Sequence, residues 1–165
     1  MAFISISITK NHPLILGKGG FGRQLADWLS AEGWGEAEFL DDSAPGCVGG
    51  LRDYADPKLL KPGRPAFVAL GDNALRVELL QKLAAAGYDT PVFISDMAAV
   101  SPSAVLEPGC VILPQAYVGA DAHLGVGCII NGGAIVDHDA VLGRGVHVAP
   151  GGIVKAGAEV EALTK

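Results

Sequence analysis

Aromatic side chains are scarce in this 165-residue chain, at 6% of the sequence, and from residue 98 onward only Tyr117 remains. A segment without large rings has to build its core from aliphatic and small side chains, and Gly, Ala, Val and Ile take over there in a pattern too regular for a flexible linker. Basic residues are also few. Lys and Arg number 12 against 18 Asp and Glu, a formal charge of -6, which excludes a broad nucleic-acid-binding face built on clustered cations. Cysteine is limited to Cys47, Cys110 and Cys128, with no CxxC spacing and no secretory leader, so a reduced, cytoplasmic setting is expected. The opening MAFISISITK is too short and polar for a signal core or a membrane span. It reads as a β-prone lead-in or a disordered end. Half of the residues are apolar, enough for a sizeable core.

What the second half does have is a period of six. Stepping by six from Val100 gives Leu106, Ile112, Val118, Leu124, Ile130, Val136, Leu142, Val148, Val154 and Val160, eleven aliphatic positions without a failure. Two places before each stands Ala98, Ala104, Cys110, Ala116, Ala122, Cys128, Ala134, Ala140, Val146, Gly152 or Ala158, of which only Val146 is bulky. Three hexads close a triangular coil of eighteen residues, and each short strand stacks on its equivalent one coil away at roughly 4.8 Å. The aliphatic side chain points into the prism and the small residue fits near a corner. Eleven hexads predict about three and two-thirds coils. A β-sandwich is disfavoured, because sandwiches vary their strand and turn lengths. Cys110 and Cys128, eighteen residues apart, share one column and are read as core filling.

The first half reads as α/β. Pro13-Leu14-Ile15-Leu16 is a strand, Gly17-Lys18-Gly19-Gly20-Phe21-Gly22 a glycine turn, and a helix follows through Arg23 to Leu29. Glycines let a ligand phosphate approach the helix N-terminus, where free N–H groups and the dipole favour an anion. Glu38 to Asp42 offers a second strand ending in acids where a ribose hydroxyl can be held. Ala66 to Leu70 gives a third strand, Ala74 to Ala86 a helix stopped by Gly87, and Val92 to Ile94 a fourth strand leading into the coil. The fold class is thus a Rossmann-like nucleotide-binding domain over residues 1–96 followed by a parallel β-helix over 97–165. About ninety residues are too few for a complete two-half dinucleotide fold, so the mononucleotide part of a larger substrate is favoured over NAD.

Asp137-His138-Asp139 falls in a hexad turn. A histidine beside carboxylates is a candidate general base, since the acid fixes its tautomer and stabilises the imidazolium. The plain alternative is a solvated polar corner. The positions one coil away, Ala120 and Ala156, leave room around the ring. His147 comes nine residues later, half a coil, and so lies on the opposite side of the prism. If both serve one site, that site is shared between subunits, as a cyclic trimer provides. His12 and His123 read as surface residues, and three of the four histidines have no metal-like partner spacing, which disfavours a structural zinc site.

With these features the chain resembles the bacterial sugar O- and N-acetyltransferases of the PglD/NeuD type, from about Pro13 to Gly157. The likeness is most specific through LGDNALR, SPSAVLEPG and NGGAIVDHDAVLGRGVHVAPGG. The resemblance implies a left-handed β-helix, a homotrimer, acetyl-CoA as co-substrate along the helix between subunits, no metal, and a nucleotide-linked amino sugar acetylated for surface glycan synthesis. It implies His138 as general base, Asp139 as the acid orienting it, His147 near the acetyl-CoA thiol end, Asn131 lining the acceptor site and the Ala156 N–H as oxyanion donor. Gly17, Gly19, Gly20 and Gly22 would surround the nucleotide phosphates, with Asp41 and Asp42 near the nucleoside. Two departures stand out. Phe21 occupies a place where the family carries histidine, and family members run on for further coils to a GVPA-like segment where this sequence ends at Lys165. A C-terminally short member is therefore expected, and the alternative reading is a catalytically weak homologue that binds a nucleotide sugar or serves as a trimeric scaffold.

Overall fold

The computed structural model describes residues 12–61 and 63–165, so the expected lead-in lies outside the described residues. The apolar run after Pro13 forms β1 (Leu14–Leu16), fully buried along its length, as a strand covered on both faces requires. The glycine turn then opens α1 (Gly20–Ala31), followed by β2 (Glu38–Leu40), β3 (Ala66–Val68) and α2 (Asn73–Ala86). The three strands are parallel in the order β2-β1-β3, half of a doubly wound arrangement. α2 starts where the Asp72 side chain accepts from the Leu75 N–H at 2.9 Å and stops at Gly87, whose φ of 99° ends the helix in the left-handed region.

The chain then winds into strands of two residues: β4 (Phe93–Ile94), β5 (Ala99–Val100), β6 (Val105–Leu106), β7 (Val111–Ile112), β8 (Tyr117–Val118), β9 (His123–Leu124), β10 (Ile129–Ile130), β11 (Ile135–Val136), β12 (Val141–Leu142), β13 (His147–Val148), β14 (Ile153–Val154) and β15 (Glu159–Val160). They form three parallel four-stranded sheets, a first face of β4, β7, β10 and β13, a second of β5, β8, β11 and β14, and a third of β6, β9, β12 and β15. This is a left-handed parallel β-helix of four coils. The expected hexad residues from Ile112 to Val148 are buried, and the small residues from Cys110 to Val146 are buried with them in the same core. Phe93–Ile94 differs from the expectation. It is not a further strand of the α/β sheet but the first rung of the solenoid, paired with Val111–Ile112, because Ile94 stands one six-residue step before Val100.

One core joins the two parts. Phe93, Val111 and Ile129 point outward from the first face and pack with Ile15, Leu25, Leu29 and Phe67 of the α/β unit. On the other side of its sheet, Leu14, Leu16, Ala66 and Val68 pack with Leu79, Leu80 and Leu83 of α2. α2 also lies along the corner that carries Gly109, Gly127 and Gly145, where an added Cβ would come within 2.7, 2.6 and 2.8 Å of Leu80 or Val77 side-chain atoms. The joint is locked by Arg76, only 1% exposed. Its Nε donates to the Gly127 carbonyl at 2.9 Å, Nη1 to Leu70 at 2.8 Å and Nη2 to Gly145 at 2.8 Å. Arg76→Leu would leave three carbonyls facing an apolar stub, and urea unfolding should show a loss of about 3 kcal/mol, since bonds to a charged donor are the strong ones. Arg76→Lys should recover only part of it, because one ammonium cannot span the fork.

Candidate active site

The four glycines of the first turn divide into two pairs. Gly17 has a φ of 99°, and a Cβ there would sit 2.8 Å from the Ala69 carbonyl, while a Cβ on Gly22 would sit 1.9 Å from the Gly17 carbonyl. These two let α1 close onto the turn. Gly19 and Gly20 have nothing within 4 Å of an added Cβ, so they are the pair a ligand can approach. α1 has no side-chain cap, which leaves the first N–H groups of the helix facing outward as anion donors. Asp41 is engaged by the backbone around it. Its carboxylate accepts from the N–H groups of Lys18, Ser43 and Ala44 at 2.8, 2.9 and 2.9 Å, and these bonds lower its pKa to about 2. Asp42 accepts from the Leu51 N–H at 2.8 Å. Both acids thus hold the loop that follows β2.

His147 continues the outward column of Phe93, Val111 and Ile129 on the first face. Its ring lies 6.4 Å from that of Phe21 at the start of α1, so the glycine turn and the solenoid meet here. The Asn131 amide sits 3.3 Å from His147 Nε2, and Asn131 Oδ1 accepts from the Gly132 N–H at 2.8 Å. With the oxygen engaged, the amide nitrogen is the atom facing the ring, and a nitrogen that only donates requires Nε2 to accept. Nδ1 then carries the hydrogen, and it is buried without a partner. Burial, with the charges of Arg76 and Lys165, pushes the His147 pKa down to about 4. His147 is a neutral imidazole at physiological pH and no proton acceptor of consequence.

His138 occupies the opposite environment, in the corner between β11 and β12. Its side chain is 58% exposed and its Nδ1 lies 2.6 Å from Asp139 Oδ2. Asp139 adopts a φ of 60°, a left-handed corner that Asp tolerates better than most residues. The hydrogen bond that Nδ1 donates to Asp139, helped by the charge of Asp137, raises the His138 pKa. Because Asp139 fixes the hydrogen on Nδ1, Nε2 is the lone pair left to take a proton. Gly119 lies one coil below, where a Cβ would come within 2.5 Å of the His138 backbone nitrogen, so only glycine permits this turn to settle as it does. Ala156 stands one coil above, exposed, its neighbour Gly157 donating to the His138 carbonyl at 2.9 Å.

Within one chain, then, the expected residues fall into two groups. Gly19, Gly20, Asn131 and His147 gather where α1 meets the first face, and His138, Asp139 and Ala156 gather at the corner joining the second and third faces. Sequence reasoning treated Phe21 only as a departure and did not see it against His147; no local pattern links residues so far apart. It also overlooked Gly119, although an eighteen-residue step down from Asp137 points to it. His123 shows that a carboxylate partner alone is no distinction. Its Nε2 meets Glu107 at 2.9 Å, which occupies the nitrogen that His138 keeps open. No group of three metal-ligating side chains gathers among the described residues, and no helix among them is long and apolar enough to cross a membrane. In an NMR titration of the histidine rings, His138 should titrate above the ordinary imidazole value of about 6.5 and His147 near 4. Asp139→Asn should bring His138 back down and leave His147 where it is.

The comparisons with known proteins join these observations. Residues 14–83 match the PglD N-terminal domain family. The acetyltransferase domain of PglB from Neisseria gonorrhoeae FA1090, solved in complex with acetyl coenzyme A, is 36% identical over 87% of this chain and 72% of its own, with a TM-score of 0.77. A mutant of GDP-perosamine N-acetyl transferase from Caulobacter crescentus, in complex with CoA and GDP-perosamine, is 31% identical over 84% of this chain and 69% of its own, with a TM-score of 0.75. PerB from Caulobacter crescentus, also in complex with CoA and GDP-perosamine, is 26% identical over 91% of both chains, with a TM-score of 0.77. A six-residue frame closed into a β-helix, docked on a glycine-turn α/β unit and matched over most of its length, places this chain in the PglD/NeuD-type family of hexapeptide-repeat sugar acetyltransferases.

Proposed function

We propose that the protein transfers the acetyl group of acetyl-CoA to the amino group of a nucleotide-linked sugar in the cytoplasm, for surface glycan synthesis, with His138 as general base. The observation that carries this reading is the His138–Asp139 pair, whose geometry leaves Nε2 unengaged beside the bare corner at Ala156. The relatives crystallised with acetyl coenzyme A, or with CoA and GDP-perosamine, support the substrate classes.

In this mechanism the sugar amine attacks the thioester carbonyl carbon while His138 Nε2 removes its proton, and Asp139 stabilises the imidazolium. The carbonyl oxygen becomes an oxyanion, for which the Ala156 N–H is the donor. As the carbonyl re-forms, the C–S bond breaks and the imidazolium returns its proton to the departing thiolate. The products are the amide and CoA thiol, with His138 neutral again. The nucleotide phosphates lie at Gly19 and Gly20 on the N-terminus of α1, and Gly17, Gly22, Asp41 and Asp42 shape that turn and its adjoining loop.

The site needs more than one copy of the chain, because His138 and the α1–His147 region lie on opposite sides of the prism. The faces beside His138 support a self-assembly. Tyr117, Ile135 and Ile153 line the second face at 43, 38 and 68% exposure, and Val105 and Val141 the third at 52 and 45%. A column of apolar side chains such as Tyr117, Ile135 and Ile153 left open to water is characteristic of a surface that another subunit covers, and a cyclic trimer would place three identical sites between neighbours.

A thiol-release assay with UDP- and GDP-linked amino sugars tests the reading. His138→Ala should lower kcat at least about 100-fold, and kcat/KM of the wild type should rise with pH through the elevated His138 pKa. Asp139→Asn should move that limb to lower pH. Equal rates for wild type and His138→Ala would sink the assigned role, and nucleotide binding without acetyl-CoA binding at millimolar concentration would instead fit the scaffold reading.

A further inference from the structure

Lys18 is the one cation within the glycine turn, and a cation there invites assignment as the partner of the phosphates. Its geometry says otherwise. The ammonium donates to the Pro45 carbonyl at 2.6 Å and to the Gly46 carbonyl at 3.2 Å, and it lies 5.3 Å from the centroid of the Phe39 ring. Two of its three donors are therefore engaged, and the aromatic face offers further attraction. The main chain of the same residue is fixed as firmly. Its N–H donates to Asp41 Oδ2 at 2.8 Å, and its carbonyl accepts from Arg23 Nη1 at 3.1 Å. Asp41 Oδ1 in turn accepts from the N–H groups of Ser43 and Ala44. Lys18 thus grips both ends of the 43–46 loop, the start through Asp41 and the end through its own ammonium. Gly46 has a φ of 69°, and a Cβ there would meet Nζ at 3.2 Å, so the end of the loop is shaped closely around the ammonium. The phosphates have no need of this cation, since the uncapped start of α1 already presents N–H donors.

We propose that Lys18 is a positioning residue that fixes the 43–46 loop as a wall for the nucleoside, rather than a counter-ion for the phosphates. The inference rests on the reading that the glycine turn holds a nucleotide. A cation that touches phosphate would favour diphosphates over monophosphates, and its contribution would fall steeply with salt. A loop clamp contributes the same to both, because the loop stands against the nucleoside that the two share.

The test compares wild type, Lys18→Met and Lys18→Arg. Amide hydrogen exchange on the free proteins should show residues 43–46 exchanging faster in Lys18→Met, with Lys18→Arg recovering part of the protection. Calorimetry with UMP, UDP, GMP and GDP should show whichever nucleotide pair binds weakened about tenfold in Lys18→Met, by the same factor for its monophosphate and diphosphate. KM for the nucleotide sugar should rise with kcat within about twofold and acetyl-CoA affinity unchanged. Unchanged loop exchange, or a loss confined to the diphosphates, would overturn the proposal. If the wild type binds none of the four nucleotides while the loop still loosens in Lys18→Met, the nucleotide reading itself falls, and the role in acceptor binding falls with it.

Discussion

The structure depends on a backbone ladder that repeats every eighteen residues. Val111 donates to the Cys128 carbonyl at 2.9 Å, and Ile129 donates to the Val146 carbonyl at the same distance. Parallel pairing in this register decides which side chains share a column. It puts Ile112, Ile130 and Val148 inside and lines up Phe93, Val111, Ile129 and His147 outside. Three members of that outer column are fully buried under the α/β unit, and the fourth is the histidine beside Phe21. The docking of the two parts and the placement of His147 are therefore one consequence of the ladder. Arg76 completes it by holding α2 against corner carbonyls of successive coils.

The same register separates the two histidines chemically. His138 sits at an open corner beside carboxylates that raise its pKa, whereas burial, helped by the charges of Arg76 and Lys165, lowers that of His147. Environments that drive two like groups apart commonly mark a division of labour in an active site. Here the titrating member is the one with an unengaged nitrogen. The neutral member is held by Asn131 in a single tautomer, suited to shaping a pocket rather than moving a proton.

Much of the fold was legible because a translational repeat writes itself directly into the sequence: the aliphatic positions from Val100 to Val160 need no knowledge of distant contacts. The first rung escaped because Phe93 serves the core shared with the α/β unit, so its segment looks like an ordinary sheet strand. His138 and Asp139 were legible as a pair because they are adjacent. The contacts that shape the glycine turn and join it to the solenoid link residues far apart in the chain: Lys18 with Pro45, Phe21 with His147, Arg76 with Gly127 and Gly145. No periodicity announces such partners. Asp41 adds a role that spacing did not announce: three backbone N–H groups donate to its carboxylate and order the loop after β2.

The central claim is that the base comes from one copy of the chain and the nucleotide site from another. Mixed oligomers test it most directly. Gly20→Glu places a carboxylate at the open start of α1, where nothing lies within 4 Å of the new Cβ, and should abolish nucleotide-sugar binding by repelling the phosphates. His138→Ala removes the base. Each variant alone should be inactive, and equal amounts co-assembled should recover about a quarter of wild-type activity, the fraction of neighbour pairs with both halves intact in a closed ring. Mixtures that assemble and remain as inactive as either parent would contradict the account.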